Sequence, residues 1–299
     1  MVERLSFEDQ ISSNKLKSFV LIAIMFVFFL IIGYIISAVL DPSYFFVVMV
    51  FSVIISLVYI WAGYFYSDRI ALASVKAKPA SNTEHRMLHH AVENMSLASG
   101  LPMPRVYVME SQEINAFASG RDPEHAVVCV TTGAIARLNK EELEGIIAHE
   151  MAHIANFDIR FMTLTAVLVG MISIAAEIFL RSLFFSNRDR EGKGNAAILI
   201  LGIVFAIAAP ILAQLVYLAI SRKREFGADA TGAKFTRYPK GLANALKRIK
   251  TEHVSEQDTK KYPKAVAPLF ISDPYKKKIQ NIFSTHPDID ERIKRLEAM

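Results

Sequence analysis

The stretch Ala148-His149-Glu150-Met151-Ala152-His153 decides how the rest of the chain is read. Upstream of it, Asn139 opens a helical pattern with Glu141, Glu142 and Glu144 in its first turns, where carboxylates meet the positive end of the helix dipole. At about 3.6 residues per turn, His149 and His153 fall on one face, one turn apart, so both imidazoles reach a single ion. Glu150 lies near that face and can act as base on a metal-bound water. Given this chain's own histidine and glutamate frequencies, a chance match to H-E-x-x-H has odds on the order of one in a hundred. The plain alternative is a helix with two satisfied core histidines.

A catalytic zinc site needs a third protein ligand and one open position. In the metzincin pattern a histidine would stand six residues after His153, but that position is Ile159, and Asn156 replaces the glycine of that pattern. The other common solution is a glutamate on a second helix. Ser221-Arg222-Lys223-Arg224-Glu225-Phe226-Gly227-Ala228-Asp229 supplies one. Glu225 and Asp229 are four apart and share a face, so Glu225 can bind zinc while Asp229 accepts a hydrogen bond from a ligand histidine and fixes its tautomer. Taken alone the pair reads as a solvated juxtamembrane charge cluster; H-E-x-x-H tips it toward the metal.

Around this nucleus the composition is that of a membrane protein. The chain has 299 residues, is 53% hydrophobic and 21% charged, and has a mean hydropathy of +0.30. The 23 residues Ser18–Leu40 and the 24 residues Tyr44–Ser67 carry no charge; Phe161–Leu180 carries only Glu177, and Asn195–Ile220 none. About 20 apolar residues span a bilayer as a helix, so all four segments qualify. An acid inside a membrane segment makes Glu177 a functional candidate. The remaining two thirds of the chain can bury a core of their own. A soluble enzyme, a disordered chain and a disulfide-stapled secreted fold are thereby excluded, and the large polar share speaks against a pure transporter. The single cysteine, Cys129, sits in an apolar run and reads as a small buried hydrophobe. The net charge of +5 suits basic loops beside anionic lipid and not nucleic acid.

Only Asp41-Pro42-Ser43 separates the first two segments, which makes them a hairpin. Arg4, Lys15 and Lys17 before it and Arg69, Lys76 and Lys78 after it place both flanks on the cytoplasmic side. Arg181, Arg188, Arg190 and Lys193, between the third and fourth segments, would then lie outside. Either that hairpin does not fully cross, or the basic flanks at Arg160 and Arg222–Arg224 dominate. Between the hairpins, residues 81–100 predict a helix ended by Gly100, and Arg105–Val108, Ile114–Ala118 and Ala126–Thr131 predict short strands. The metal helix is expected to run on toward Arg160 and the third segment. Helical patterns follow over residues 221–235 and at Ile289, Ile293 and Leu296. His85 and His89 share metal-like spacing, but with no third ligand nearby they read as helix-surface residues; His90, His125 and His253 carry no motif.

The sequence H-E-M-A-H-I-A-N-F-D (149–158), followed after a hydrophobic hairpin by S-R-K-R-E-F-G-A-D (221–229), resembles the HtpX-type membrane zinc endopeptidases, distant relatives of the type I CAAX prenyl proteases. The similarity runs from the first hairpin nearly to the C-terminus. Asn115-Ala116-Phe117-Ala118 resembles the family's substrate-side strand, Val130-Thr131-Thr132-Gly133 the segment before the zinc helix, and His286-Pro287 with Arg292 a C-terminal H-P…R motif. The resemblance implies an α+β fold: a mainly helical, zincin-like (gluzincin) catalytic domain with a small β-sheet, plus four transmembrane helices in two hairpins. Its organisation would be an N-terminal cytoplasmic segment 1–17, hairpins 18–67 and 161–220, and catalytic parts 68–160 and 221–299.

It further implies one Zn2+ per chain held by His149, His153 and Glu225, with Glu150 as general base and Asp229 behind the ligands. His286 would stabilise the oxyanion or simply start a helix before Pro287. Asn115, Ala116 and Phe117 would hold substrate, or Asn115 would only hold a turn. The implied partners are polypeptide substrates, above all membrane proteins, and the lipid bilayer of the cell membrane (inner or plasma), with a cytoplasmic active site. The expected activity is hydrolysis of misfolded or damaged membrane proteins. A specific processing protease, such as one acting on prenylated proteins, and a catalytically silent scaffold are the alternatives; an intact Glu150 speaks against the scaffold.

Overall fold

In a computed structural model, the two N-terminal apolar runs form the hairpin that their hydropathy predicts. The structure describes residues 7–39, 42–170, 222–251, 262, 266, 269–272 and 287–299. Helix α1 (Phe7–Val39) and helix α2 (Phe45–Phe65) pack side by side. Their stretches Ile11–Tyr34 and Phe45–Phe65 are long and apolar enough to cross a membrane. Both display large apolar side chains, Phe19, Phe46, Phe51 and Trp61 among them, as lipid-facing helices must. Helix α1 starts eleven residues before the uncharged run, so the polar segment around Asn14 is the helical continuation of the first span.

Helix α3 (Ser67–Ser74) leads into a four-stranded sheet of β1 (Lys78–Pro79), β2 (Arg105–Met109), β3 (Ala116–Ser119) and β4 (Val127–Thr131), in the order β1-β2-β4-β3. β2 and β4 are parallel; the other two pairings are antiparallel. Alternation along the strands feeds two cores. Val106, Val108, Ala116, Ala118, Val128 and Val130 point into the larger, while Phe117, Val127 and Cys129 point into the smaller with Met162 and Ala166. Both faces are covered, which is why these strands read as continuous apolar runs. Helix α4 (Arg86–Ser99) begins five residues later than its predicted start and ends at Gly100, whose φ of +71° suits a residue without a Cβ.

Helix α5 (Thr132–Arg137), not signalled by any hydrophobic period, links β4 to helix α6 (Lys140–Ala155), the H-E-x-x-H helix. Asn139 and Glu142 close a reciprocal capping box at its start. Helices α8 (Arg222–Thr236) and α9 (Pro239–Thr251) pack along α6, and helix α10 (Ile289–Glu297) closes on α8 and α9. Gly232 permits the α6–α8 approach: a Cβ there would stand 3.0 Å from the His149 backbone nitrogen.

The expected continuous helix from Asn139 toward Arg160 is broken. Helix α6 stops at Asn156, Phe157 takes a left-handed φ of +57°, and helix α7 (Asp158–Gly170) leaves at 86°. A bulky residue at positive φ is held there by its surroundings, and the turn has a visible purpose: it swings Asp158 back against His153. The distance from His153 to the bilayer therefore does not follow a straight helix. Helix α7 is the described half of the third apolar segment, buried by protein along Phe161–Leu168. The rest of that segment with Glu177, the fourth segment, the basic loop between them, His253 and His286 lie outside the described residues.

Candidate metal centre

Three side chains from two helices converge in the core. His149 and His153 project from α6, and Glu225 from the first turn of α8; one ligating atom of each lies within 4.8 Å of the other two. The Nε2 atoms of the histidines face each other at 3.2 Å. Glu225 presents Oε2 at 3.7 Å from His149 Nε2 and Oε1 at 3.6 Å from His153 Nε2. All three residues are buried.

The far side of each ring is committed. His149 Nδ1 is 2.9 Å from Asp229 Oδ1, and His153 Nδ1 is 3.0 Å from Asp158 Oδ2. A carboxylate accepts only, so each Nδ1 carries its proton and each Nε2 is left to point at the cluster centre. Two nitrogens bound to one tetrahedral ion at about 2.0–2.1 Å stand roughly 3.3 Å apart. The observed 3.2 Å and the inward carboxylate fit such an ion. A nitrogen–nitrogen–carboxylate set suits zinc with a fourth position left over.

Electrostatics agree. Burial lowers the His149 pKa, against the Asp229 hydrogen bond and with the help of Arg292. Burial acts the same way on His153, but its bond to Asp158 and the nearby Glu225 and Glu150 overcome it and lift the ring to about 9. The carboxylates around the pair thus favour positive charge at the centre of the cluster. Glu150, also buried, is raised to about 7 by desolvation, with His153 opposing and Glu225 adding to the rise; the Ala118 backbone amide of β3 donates to it. A carboxylate with its pKa near neutrality is matched to taking and returning a proton.

Arg292 completes the support. It is almost fully enclosed and donates from Nε to Asp229 Oδ2 at 2.9 Å and from a terminal nitrogen to Oδ1 at 2.7 Å. Its other terminal nitrogen lies 3.5 Å from Glu225 Oε2 and 3.4 Å from the Ile271 carbonyl oxygen. Burial would raise the Asp229 carboxyl; Arg292 and His149 instead hold it down at about 2.

Comparison with known proteins resolves the class. The profile of peptidase family M48 matches residues 82–299. The chain belongs to that family. The M48 chain is 47% identical over 246 residues to a "Protease HtpX homolog" of Thermoanaerobacter pseudethanolicus, covering 81% of each protein. It is 39% identical over 294 residues to a protein of the same name from Dictyoglomus thermophilum, covering 98% of this chain and 95% of that one. Among solved structures, Ste24p of S. mikatae aligns with a TM-score of 0.49 at 21% identity, covering 95% of this chain and 66% of the other. With two helices able to span a bilayer and a His/Glu cluster able to hold a metal, this M48 protein is a membrane metallopeptidase.

Asn115, Ala116 and Phe117, the residues expected to hold substrate, lie at the start of β3. β3 is the sheet edge, beside Glu150. Residues 270–272 of the same chain lie along its outer side. Ile271 donates its backbone N–H to the Ala116 carbonyl at 3.0 Å, and Phe117 and Phe270 form an antiparallel bridge with their rings in edge contact. Asn115 donates from Nδ2 to the Ser272 carbonyl at 2.8 Å and accepts the Ser272 N–H on Oδ1 at 3.3 Å. Asn115 also accepts the Ala116 N–H on its own side-chain oxygen, so it holds a turn and a neighbouring peptide together.

Asp158 and Arg292 stand inside motifs quoted from the sequence but are given no role there. Asp158 ends the H-E-M-A-H-I-A-N-F-D stretch, and its five-residue offset from His153 makes sense only once the left-handed turn is known. Arg292 was visible only as part of a distant H-P…R string. His85 and His89 make local bonds, to the Ser81 backbone nitrogen and the Ala80 carbonyl, and are remote from the cluster's ligand set.

Proposed function

We propose that this chain is a zinc-dependent endopeptidase of the cell membrane that hydrolyses misfolded or damaged membrane proteins, working on the cytoplasmic side. The observation that carries the reading is the convergence of His149, His153 and Glu225 beside a buried Glu150 whose carboxyl is poised near neutral pH. His149 Nε2, His153 Nε2 and the Glu225 carboxylate would hold one Zn2+. When bound, zinc lowers the pKa of a water toward neutrality and polarises the scissile carbonyl. Asp229 and Asp158 keep both Nδ1 atoms protonated and both Nε2 atoms facing inward. Glu150 removes the proton of the attacking water and delivers it to the leaving amine. His286 is the proposed donor to the oxyanion.

Asn115, Ala116 and Phe117 are proposed to hold the substrate main chain as an added strand on β3, which makes recognition broad. Support comes from the chain itself: residues 270–272 are held there by the kind of main-chain contacts that an extended polypeptide would make. A substrate reaches the same groups only in competition with Ser272 and Ile271. Positive flanks on the N-terminal hairpin support the cytoplasmic placement.

The test compares purified wild type, chelator-treated wild type and Glu150→Ala on an unfolded protein and on a prenylated peptide. Cleavage of the unfolded protein by metal-loaded wild type alone is expected. Equal cleavage by Glu150→Ala refutes the mechanism, whereas no cleavage of either substrate by metal-loaded wild type favours a scaffold. Activity confined to the prenylated peptide replaces the quality-control role with specific processing.

A further inference from the structure

Helix α1 reaches the turn that carries Asp158 through the side chain of Asn14. Asn14, one helical turn into the candidate span Ile11–Tyr34, is 4% exposed on a helix whose neighbours mostly face outward. Its Nδ2 spends both protons on the turn after α6: one goes to Asp158 Oδ1 at 2.7 Å and the other to the Asn156 carbonyl at 3.0 Å. The second Asp158 oxygen, Oδ2, is the acceptor for His153 Nδ1 at 3.0 Å. One carboxylate is therefore shared between the membrane helix and a histidine of the cluster. The turn is strained at Phe157, whose ring also lies 4.6 Å from the Lys15 ammonium.

We propose that Asn14 is a positioning residue of the metal centre. By fixing the rotation of the Asp158 carboxylate it fixes the His153 tautomer and the aim of Nε2, so the first membrane helix forms part of the active site as well as anchoring it. Free rotation of Asp158 would let Oδ2 leave His153, while Asn14 pins the opposite oxygen and removes that freedom. The inference rests on His153 being a metal ligand, as proposed above.

The experiment uses full-length protein in detergent with zinc. Asn14→Leu keeps the shape of the side chain and removes the donor. Zinc retention is read by competition with a chromophoric chelator, peptidase turnover is resolved into kcat and KM, and melting of the metal-free protein is followed in parallel. Loss of an outer partner of a metal ligand typically weakens binding about 10- to 100-fold. At least a tenfold loss of zinc affinity is expected, with kcat lowered and KM within twofold. In an Asp158→Asn background, Asn14→Leu should then cost nothing further in zinc affinity, because Asn14 acts through Asp158. Lys15→Met, which loosens the same interface without touching Asp158, should leave zinc affinity intact.

An Asn14→Leu protein that melts earlier but binds zinc within twofold of wild type overturns the proposal and makes Asn14 an ordinary helix anchor. Additive losses with Asp158→Asn, or an equal loss with Lys15→Met, overturn it too. Glu225→Gln run beside these separates the two levels: if it retains zinc fully, the ligand assignment fails and not merely the role of Asn14.

Discussion

Replacing Arg292 by methionine is the sharpest probe of how the centre is held. The guanidinium is buried, makes two charge-assisted hydrogen bonds to Asp229, and lies 3.5 Å from Glu225. Methionine fills much of the same volume, so the change tests charge more than packing. Among the described residues Asp229 would keep only His149 Nδ1 as a partner and would lose its guanidinium counter-charge. Breaking a buried ion pair from one side costs about 3–5 kcal/mol. For a domain of about 150–250 residues each kcal/mol moves Tm by roughly 2–4 °C, so the metal-free protein should melt about 6–20 °C earlier. Arg292→Lys keeps a charge but loses the planar fork and should fall between the two.

The control is a double-mutant cycle with Asp229→Leu. If the cost of Arg292→Met is the stranded charge, removing Asp229 as well should recover most of the stability, with a coupling of about 2 kcal/mol or more. The double variant should still fail to retain zinc, because His149 has lost the acceptor that sets its tautomer. Thermal unfolding in detergent with excess chelator measures the first quantity, and metal content after dialysis the second. A shift below about 1 kcal/mol for Arg292→Met, or strictly additive costs, would refute the claim that Arg292 neutralises the carboxylates behind the histidines.

Other consequences follow from the same geometry. In the metal-free protein His153 titrates near 9, so a metal must displace its proton: affinity measured by chelator competition should rise about tenfold per pH unit between pH 7 and 8.5. The metal-free fold behaves oppositely. A histidine whose folded pKa is raised adds stability that is complete below the unfolded value of about 6.5 and fades as pH passes 9, so Tm should fall over that window while affinity climbs. Flat affinity across this range would contradict the assignment of His153. Gly232→Ala puts a methyl against the backbone of Ala148 and His149, with contacts of 3.0–3.2 Å. It should part α6 from α8 by a few tenths of an ångström at a cost of roughly 1–3 kcal/mol and weaken metal retention, whereas Gly227→Ala, with open space around its Cβ, should not. Residues 117 and 270 face each other across an antiparallel bridge, so Phe117→Cys with Phe270→Cys should form a disulfide. Cys129 must first be replaced by alanine, since it is the cross-strand neighbour of Phe117. The oxidised protein should be inactive and regain cleavage on reduction; full activity when oxidised would mean that substrate does not use this edge of β3.

The contrast between His153 and Asp158 shows why part of the site was legible in the sequence and part was not. Two histidines four apart on a helix share a face whatever surrounds them, and the uncharged runs of α1 and α2 state their length and polarity directly. Three of the four strands were also readable to within two residues, because they spell apolar runs; β1, two exposed residues at Lys78–Pro79, carries no such signal. Asp158 and Asn14 are different. Their roles depend on a left-handed Phe157 that ends α6 where the hydrophobic pattern runs on, and on a helix 142 residues away in sequence. Helical periodicity encodes which residues share a face of one element; it carries nothing about a bond made across a broken helix by a membrane span. The same holds for Arg292, whose two bonds to Asp229 close only when α10 meets α8. Local chemistry therefore picks out the candidate ligands, and tertiary packing sets what aims them. For the proposed metal centre this division has a consequence: a residue with no motif, such as Asn14, which bonds Asp158 from a helix able to span a membrane, is where a loss of metal affinity should be sought.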